Sequence, residues 1–478
     1  MSHIQNEADH QSKIRPEVKR FLYVLIAVAA GVVTYFLPLS MSEVSRRALS
    51  VTVFVLAMFV TEAVPLGVTG LLGCWLYWVF ANIPVAKAFA GFHNDSPWFI
   101  LSALLLGIMA DTTGLAKRLA YNIISRLGTR YTWILLGMIL LNFLLTFLIP
   151  SSVAKTVLVC AIAIGLIQTY GLDKKSNIGR SLILVMTFLS SIFDKVILTG
   201  AGNILSRGII ESLGKAQVSY GMWLIAFLPI TILTMLGCWL LTMWLFPPEK
   251  KTLEGGAEFC RAELAKMGPM STTEIKATII LGGTTLLWAT DYWHHVSASK
   301  IGIIGGLFAC LPLVGVIKKE DFGKANFPIV IFIGAVMCLG SVMAETEILK
   351  TLTAAVFKWL TPILASASIS AAMLLYWYSN LLHLFLADLS LISAAMPPLM
   401  DFCLKSGFNP LTLGMLWAFS LGGKVFIYQQ SALAVGYAFG YFTSKDLFKF
   451  GLGLFFIESF LLLTIVPFYW PLLGLTFR

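Results

Sequence analysis

Polar residues capable of chemistry fall in four short clusters within otherwise apolar stretches. The first is Leu148-Ile149-Pro150-Ser151-Ser152-Val153-Ala154-Lys155-Thr156. The second is Phe193-Asp194-Lys195-Val196-Ile197-Leu198-Thr199-Gly200-Ala201-Gly202-Asn203. Two more follow, Ala387-Asp388-Leu389-Ser390 and Gly422-Gly423-Lys424-Val425-Phe426-Ile427-Tyr428-Gln429-Gln430-Ser431. Hydroxyls and amides at these places can donate hydrogen bonds to an anion, and a lysine is a strong point-charge partner for a carboxylate. This is the chemistry of binding. Ser151, His383 and Asp388 can be drawn as a hydrolytic triad, but Ser-Ser-Val has no nucleophile-elbow pattern and His383 sits in an apolar stretch.

The elements that carry these clusters are membrane helices. The chain has 478 residues, 58% of them hydrophobic and only 12% charged. A soluble globular domain does not reach that apolar excess. Apolar stretches recur from Phe21 to Leu473, so the fold class is an all-α polytopic membrane protein. Phe21 to Leu39 lacks a small-residue cleavage site and reads as a retained span, not a signal peptide. The formal charge of +10 does not indicate nucleic acid, because the basic residues mark membrane sides. Lys13, Arg15, Lys19 and Arg20 precede the first span and place the N-terminus in the cytoplasm. Lys250, Lys251, Arg261 and Lys266 place the polar linker 246–275 on the same side. Six of the seven cysteines lie in apolar segments without CxxC spacing, so they are packing residues.

The apolar runs Ile134 to Ile149 and Val157 to Ile167 are both shorter than the roughly 20 residues of a confident span. Around Pro150 they form a re-entrant hairpin, with a kinked single helix as the alternative. Asp194, Lys195, Gly200 and Gly202 then mark an unwound stretch facing the same cavity. The linker separates two halves, 21–245 and 276–478, after a cytoplasmic segment 1–20. In the second half three landmarks recur in order. Val330 to Gly340 with Glu345-Thr346-Glu347-Ile348-Leu349 answers Trp98 to Gly107 with Asp111-Thr112-Thr113-Gly114-Leu115. The tip at 387–390 answers the tip at 150–153, and Lys424-Val425 answers Lys195-Val196. Paired broken helices point to a transporter with its site between the repeats. A channel would need a continuous polar stripe, and the polar breaks here are discrete.

Thr61-Glu62-Ala63-Val64-Pro65-Leu66, Trp98-Phe99-Ile100-Leu101, Thr113-Gly114-Leu115-Ala116-Lys117-Arg118-Leu119-Ala120, Val435-Gly436-Tyr437 and Phe439-Gly440-Tyr441 occur in order along nearly the whole chain. In these motifs the chain resembles the divalent anion:sodium symporters, which carry dicarboxylates, citrate or sulfate. His383 to Pro398 looks most like the citrate and tartrate exchanger branch. The resemblance implies about eleven spans, two re-entrant hairpins in two inverted repeats, a homodimer and an elevator motion. It also implies a Ser-Asn-Thr triplet at each hairpin tip, which binds substrate and helps hold a sodium ion in each repeat.

This chain departs from that pattern at both tips. The first reads Ser151-Ser152-Val153 and the second Asp388-Leu389-Ser390. Sodium sites carried over by resemblance near Ser151, Ser152, Gly200 and Ser390 are therefore degenerate. A lost oxygen and a nearby ammonium both oppose cation binding. The candidate substrate site comprises Ser151, Ser152, Val153, Lys195, Thr199, Asn203, Asp388, Leu389, Ser390, Lys424, Gln430 and Ser431. A buried charge needs a partner, and Asp194 and Asp388 are the candidate partners of Lys195 and Lys424. These four residues form structural pairs, or their lysines replace sodium and meet the anion. Lys155 either joins the site or snorkels to the surface. The expected function is secondary transport of small di- or tricarboxylates in the cytoplasmic (inner) membrane, by sodium-independent exchange. No cofactor is expected, and sodium or a proton remains as a coupling ion. A sodium-coupled dicarboxylate or sulfate symporter is the alternative. A membrane anion sensor or channel is the alternative of another class.

The charge distribution and the eleven spans of the resemblance place the N-terminus inside and the C-terminus outside. In intact cells, a membrane-impermeant thiol reagent should label Thr476→Cys but not Ser2→Cys. Labelling of both from outside contradicts this topology.

Overall fold

A computed structural model describes residues 16–312, 314–346, 348–357 and 368–478. The expectations for residues 1–15 and for Glu347 lie outside the described residues. Among those described, regular structure is helical, apart from one isolated bridge between Arg130 and Thr252. Among the described residues seven helices are long and apolar enough to cross a membrane, Glu17–Phe36 and Tyr220–Leu245 among them. Ser96–Thr112 and Leu115–Ile124 together make a further candidate, bent by 61°. Leu66–Val79, Tyr131–Thr146, Ala298–Cys310 and Pro410–Ser420 are apolar but shorter. Ile279, Leu286, Phe456 and Phe460 are large and exposed, as expected for helices facing lipid.

The chain divides into two compact units. The smaller contains the described residues up to His93 together with Ile331–Leu349. Its helix Glu43–Thr61 ends where Glu62 adopts φ 45°, just before Pro65 starts the next helix. Contact with the segment 331–349 is close. Phe59 meets Phe332 edge-on at 5.2 Å, Lys87 pairs with Glu345 at 2.7 Å, and Gly91 donates its N–H to Cys338 Sγ at 3.2 Å.

The larger unit contains 94–330 and 350–478 and carries all four polar clusters. The first apolar arm is Tyr131–Thr146, and the helix after the Pro150 tip is Ser152–Thr169. These two helices pack on each other and both pack on Asn177–Ile192. That helix passes through a 3-10 turn, Phe193–Val196, and an extended stretch before Ala201–Ser212 begins. Ser151 caps its helix by accepting the Ala154 N–H, and Pro150 packs on Gly107.

The second half repeats this order more fully than the three sequence landmarks indicate. Ser96–Thr112 and the ten-residue Leu115–Ile124 are answered by Phe327–Glu345 and the ten-residue Ile348–Phe357. Tyr131–Thr146 and Ser368–His383 each have 16 residues, and the tip helices Ser152–Thr169 and Asp388–Ser406 have 18 and 19. Both halves then break at a 3-10 turn, Phe193–Val196 in one and Ile427–Gln429 in the other. Each ends in a long helix, Tyr220–Leu245 and Ser444–Thr464.

The linker 246–275 is not wholly irregular. It contains the helix Gly256–Met267, started after Gly255 at φ 92° and stopped by Gly268 at φ 64°. Cys260, the cysteine in the polar region, is buried on this helix. Arg118 fastens the segment, donating to Gly268 O at 2.8 Å and to Glu274 Oε1 at 2.7 Å.

A Cβ on Gly91 would stand 2.1 Å from Cys338 N and 2.4 Å from Gly334 O, both backbone atoms that cannot swing aside. Gly91→Ala should therefore lower the thermal midpoint of the purified protein, by the equivalent of about 1–3 kcal/mol. Gly282→Ala meets nothing within 4 Å and should melt with the wild type or slightly above it. Equal midpoints for both variants contradict the close packing at Gly91.

Candidate functional site

The first break and the first tip meet through an ion pair. Lys155 lies one turn into the helix that starts at the tip, with its side chain fully buried. Its Nζ is 2.8 Å from Asp194 Oδ1 and donates to Thr146 Oγ1 at 2.7 Å. It therefore fastens the end of the arm Tyr131–Thr146, the tip helix and the broken segment to one another. Asn203 completes this corner. Its Nδ2 donates to Asp194 O at 2.5 Å and Ile197 O at 2.6 Å, satisfying carbonyls that the broken helix leaves free.

The second break and tip meet in the same way with the signs exchanged. Here the tip supplies the acid, Asp388, and the break supplies the cation, Lys424. Lys424 Nζ lies 3.3 Å from Asp388 Oδ2 and also donates to Leu421 O. Asp388 Oδ1 is 2.7 Å from His383 Nε2, a contact without the alignment of a hydrogen bond. Gln429 holds this corner, accepting Val425 N–H and Phe426 N–H at 2.7 Å each and donating to His383 O at 2.7 Å. Tyr428 Oη donates to Leu384 O at the tip.

Among the contacts between the halves, two bear on these junctions. Gln430 Nε2 donates to Ser152 Oγ at 3.5 Å, while Gln430 Oε1 is buried without a partner among the described residues. Lys424, Asp388 and Asp194 are near enough for their charges to interact. The other crossing is stronger. Lys195 pairs with Glu458, and its ammonium stands 4.1 Å from the centroid of Phe419. Glu458 also accepts Tyr376 Oη at 3.0 Å, and Trp223 Nε1 donates to Lys195 O at 2.8 Å. Gly422 provides the room. A Cβ there would lie 1.7 Å from Lys195 Nζ, and one on Gly423 would lie 1.7 Å from Asn380 Oδ1.

Several expectations change against this geometry. The partner of Lys195 is Glu458, not Asp194, because the 3-10 turn sends adjacent side chains in different directions. Lys155 does not snorkel; Asp194 and Thr146 hold it inside. The pair Lys424–Asp388 is as expected. Ser151, Ser152 and Val153 line the first tip and are half-buried, as are Leu389 and Gln430, while Thr199, Asn203 and Ser390 are buried. Ser431 is exposed at the start of Ser431–Ala438. Of the drawn triad, His383 and Asp388 meet, whereas Ser151 Oγ is occupied as a helix cap. Sequence reasoning missed Glu458 and Tyr376. A lone acid within the apolar run 450–464 was the available signal for Glu458.

An ammonium is fixed at each junction, and the carbonyls of Asp194, Ile197 and Leu421 already accept hydrogen bonds.

Residues 18–476 match the family described as "Sodium:sulfate symporter transmembrane region". A protein of Cupriavidus necator named only as a membrane protein is 25% identical over 475 residues, covering 95% of this chain and 92% of that one. The L-tartrate/succinate antiporter of Escherichia coli K12 is 23% identical over 410 residues, covering 82% and 81%. Among solved structures, that of Neisseria gonorrhoeae MtrF, from a class of antimetabolite efflux pumps, aligns over 95% of each chain with a TM-score of 0.58 and 11% identity. That likeness is one of fold.

The buried pair Lys195–Glu458 should respond unequally to single and double replacement. Glu458→Ala leaves an unpaired buried ammonium and should cost about 3–5 kcal/mol, seen as lost monodisperse protein in detergent. Lys195→Met combined with Glu458→Leu removes both charges and should recover much of the yield. A double variant no better than Glu458→Ala contradicts this account.

Proposed function

This chain belongs to the divalent anion:sodium symporter family, on the side of the citrate- and tartrate-exchanger-like members, and from that membership we propose that it exchanges small dicarboxylates across the cytoplasmic membrane without requiring sodium. Membership makes the chain a multi-pass membrane transporter. The finer reading rests on one observation, an ammonium fixed at each tip–break junction, Lys155 in one repeat and Lys424 in the other. A resident ammonium does locally what a bound sodium ion does elsewhere in the family. It compensates negative charge without having to be taken from solution.

Exchange follows from the same feature. The fixed cations remain when the substrate has left, so the carrier returns more readily when a second anion has taken its place. Substrate carboxylates draw on Lys155 and Lys424 and on the hydrogen-bonding groups of Ser151, Ser152, Ser390 and Gln430. The E. coli relative named for tartrate and succinate supports small dicarboxylates as the class. A homodimer, expected from the family, and a cytoplasmic N-terminus, expected from the basic residues before the first span, complete the proposal.

Uptake of labelled succinate, citrate and sulfate into proteoliposomes, in sodium and in choline medium, tests the reading. Succinate flux should be equal in the two media and accelerated by succinate inside. Lys155→Ala and Lys424→Ala should each reduce it strongly. Ser152→Ala should weaken affinity by about 1.5–3 kcal/mol if its hydroxyl meets the anion. Steep sodium dependence in the wild type would falsify the sodium-independent reading and favour symport.

A further inference from the structure

The mechanism above does not use His383, although its side chain is fully buried inside the candidate site. His383 is the last residue of Ser368–His383, and Asp388 is the first of the tip helix Asp388–Ser406. The four residues 384–387 connect the two helices. His383 Nε2 and Asp388 Oδ1 approach to 2.7 Å across it. A nitrogen and an oxygen at that distance repel unless a proton lies between them. Among the described residues neither atom has a hydrogen-bond partner, nor has His383 Nδ1.

We propose, building on the exchange of dicarboxylates, that His383 is the proton-binding site of this carrier: its protonation neutralises Asp388 and frees the charge of Lys424 for the anion, so that dianion binding takes up a proton. The charges around the site make this consequential. On the tips stand Lys155 and Asp388, and on the breaks Asp194, Lys195 and Lys424. The last long helix, Ser444–Thr464, contributes Glu458. The arm carrying His383 contributes Tyr376, which donates to Glu458, and Gln429 holds the backbone of His383 from the second break. Three lysines and three carboxylates cancel, so with neutral His383 a dianion meets a site of no net charge.

A proton on His383 changes that sum to +1. It also gives Asp388 two cationic partners, one at each oxygen, where Lys424 alone had been obliged to compensate it. Lys424 then has charge to spare for a substrate carboxylate. Linkage is reciprocal: if the proton strengthens dianion binding, the dianion strengthens proton binding by the same factor. Imidazole is the side chain whose titration normally falls in the physiological range.

Tartrate is a suitable probe because it stays a dianion between pH 6 and 8, so the ligand's own ionisation does not contribute. Counterflow of tartrate is measured in proteoliposomes at equal internal and external pH, for the wild type and His383→Gln. The glutamine amide can still donate to Asp388 but does not titrate. In the wild type KM should fall roughly tenfold from pH 8 to pH 6, as one linked proton allows. In His383→Gln it should be flat. Calorimetry of tartrate binding in two buffers of different ionisation enthalpy should show uptake of about half a proton per tartrate in the wild type across this range and none in the variant. A pH-dependent KM that persists in His383→Gln overturns the proposal. Should that variant not fold, binding to the wild type without proton uptake across this range overturns it alone. Exchange that proceeds without proton uptake removes His383 but leaves dicarboxylate carriage standing, whereas failure of tartrate, succinate and citrate to bind at any pH removes both.

Discussion

A buried charge must be compensated where it stands, and the architecture of the larger unit follows from that constraint. Within a membrane protein an unpaired ammonium is costly, so each lysine in the broken segments acts as a tether. Lys155 holds the first tip against the first break through Asp194. Lys424 holds the second break against the second tip through Asp388. Lys195 holds the first half to the last long helix through Glu458. Each pair joins elements far apart in the chain, and each lies where the helix is interrupted and main-chain groups also need partners. Asn203 and Gln429 meet that second requirement with side-chain amides.

Room for these pairs comes from glycine. Gly422 and Gly423 combine two functions: they interrupt the helix after Pro410–Ser420, and they leave space into which Lys195 and Asn380 project. The first break uses Gly200 and Gly202 mainly to start a new helix, with Asn203 close by. The second break therefore depends more on the absence of side chains, and the first more on side-chain hydrogen bonds.

The sequence made the fold legible where physical signals were local. Apolar length located the helices, Pro150 located the first tip, and glycines beside charges located the breaks. The repeat was partly legible: three polar landmarks were visible, whereas the matched helix lengths around them were not, because lengths depend on caps such as Ser151 and on breaks that hydropathy averages over. The site was legible as a set of residues but not as a set of pairs. Adjacency in sequence suggested Asp194 for Lys195, yet a 3-10 turn separates their directions, and the true partner lies 263 positions away. Lys155 was ambiguous for a related reason. A lysine near a helix end can reach either water or an interior acid, and Asp194 decides the matter only once the two segments are packed together.

The exchange of sign between the two junctions bears on how such a protein can change over evolutionary time. If the halves descend from one duplicated segment, their junctions have become complementary in charge order: cation on the tip in one, acid on the tip in the other. Converting either junction to the order of its twin takes two substitutions. Each single step passes through an intermediate with two like charges or one unpaired charge in a buried place, which is strongly unfavourable. The two halves are thus held apart by a fitness valley at each junction. Substitutions that keep the sign of each partner remain open to drift, while reversals have to arrive in pairs.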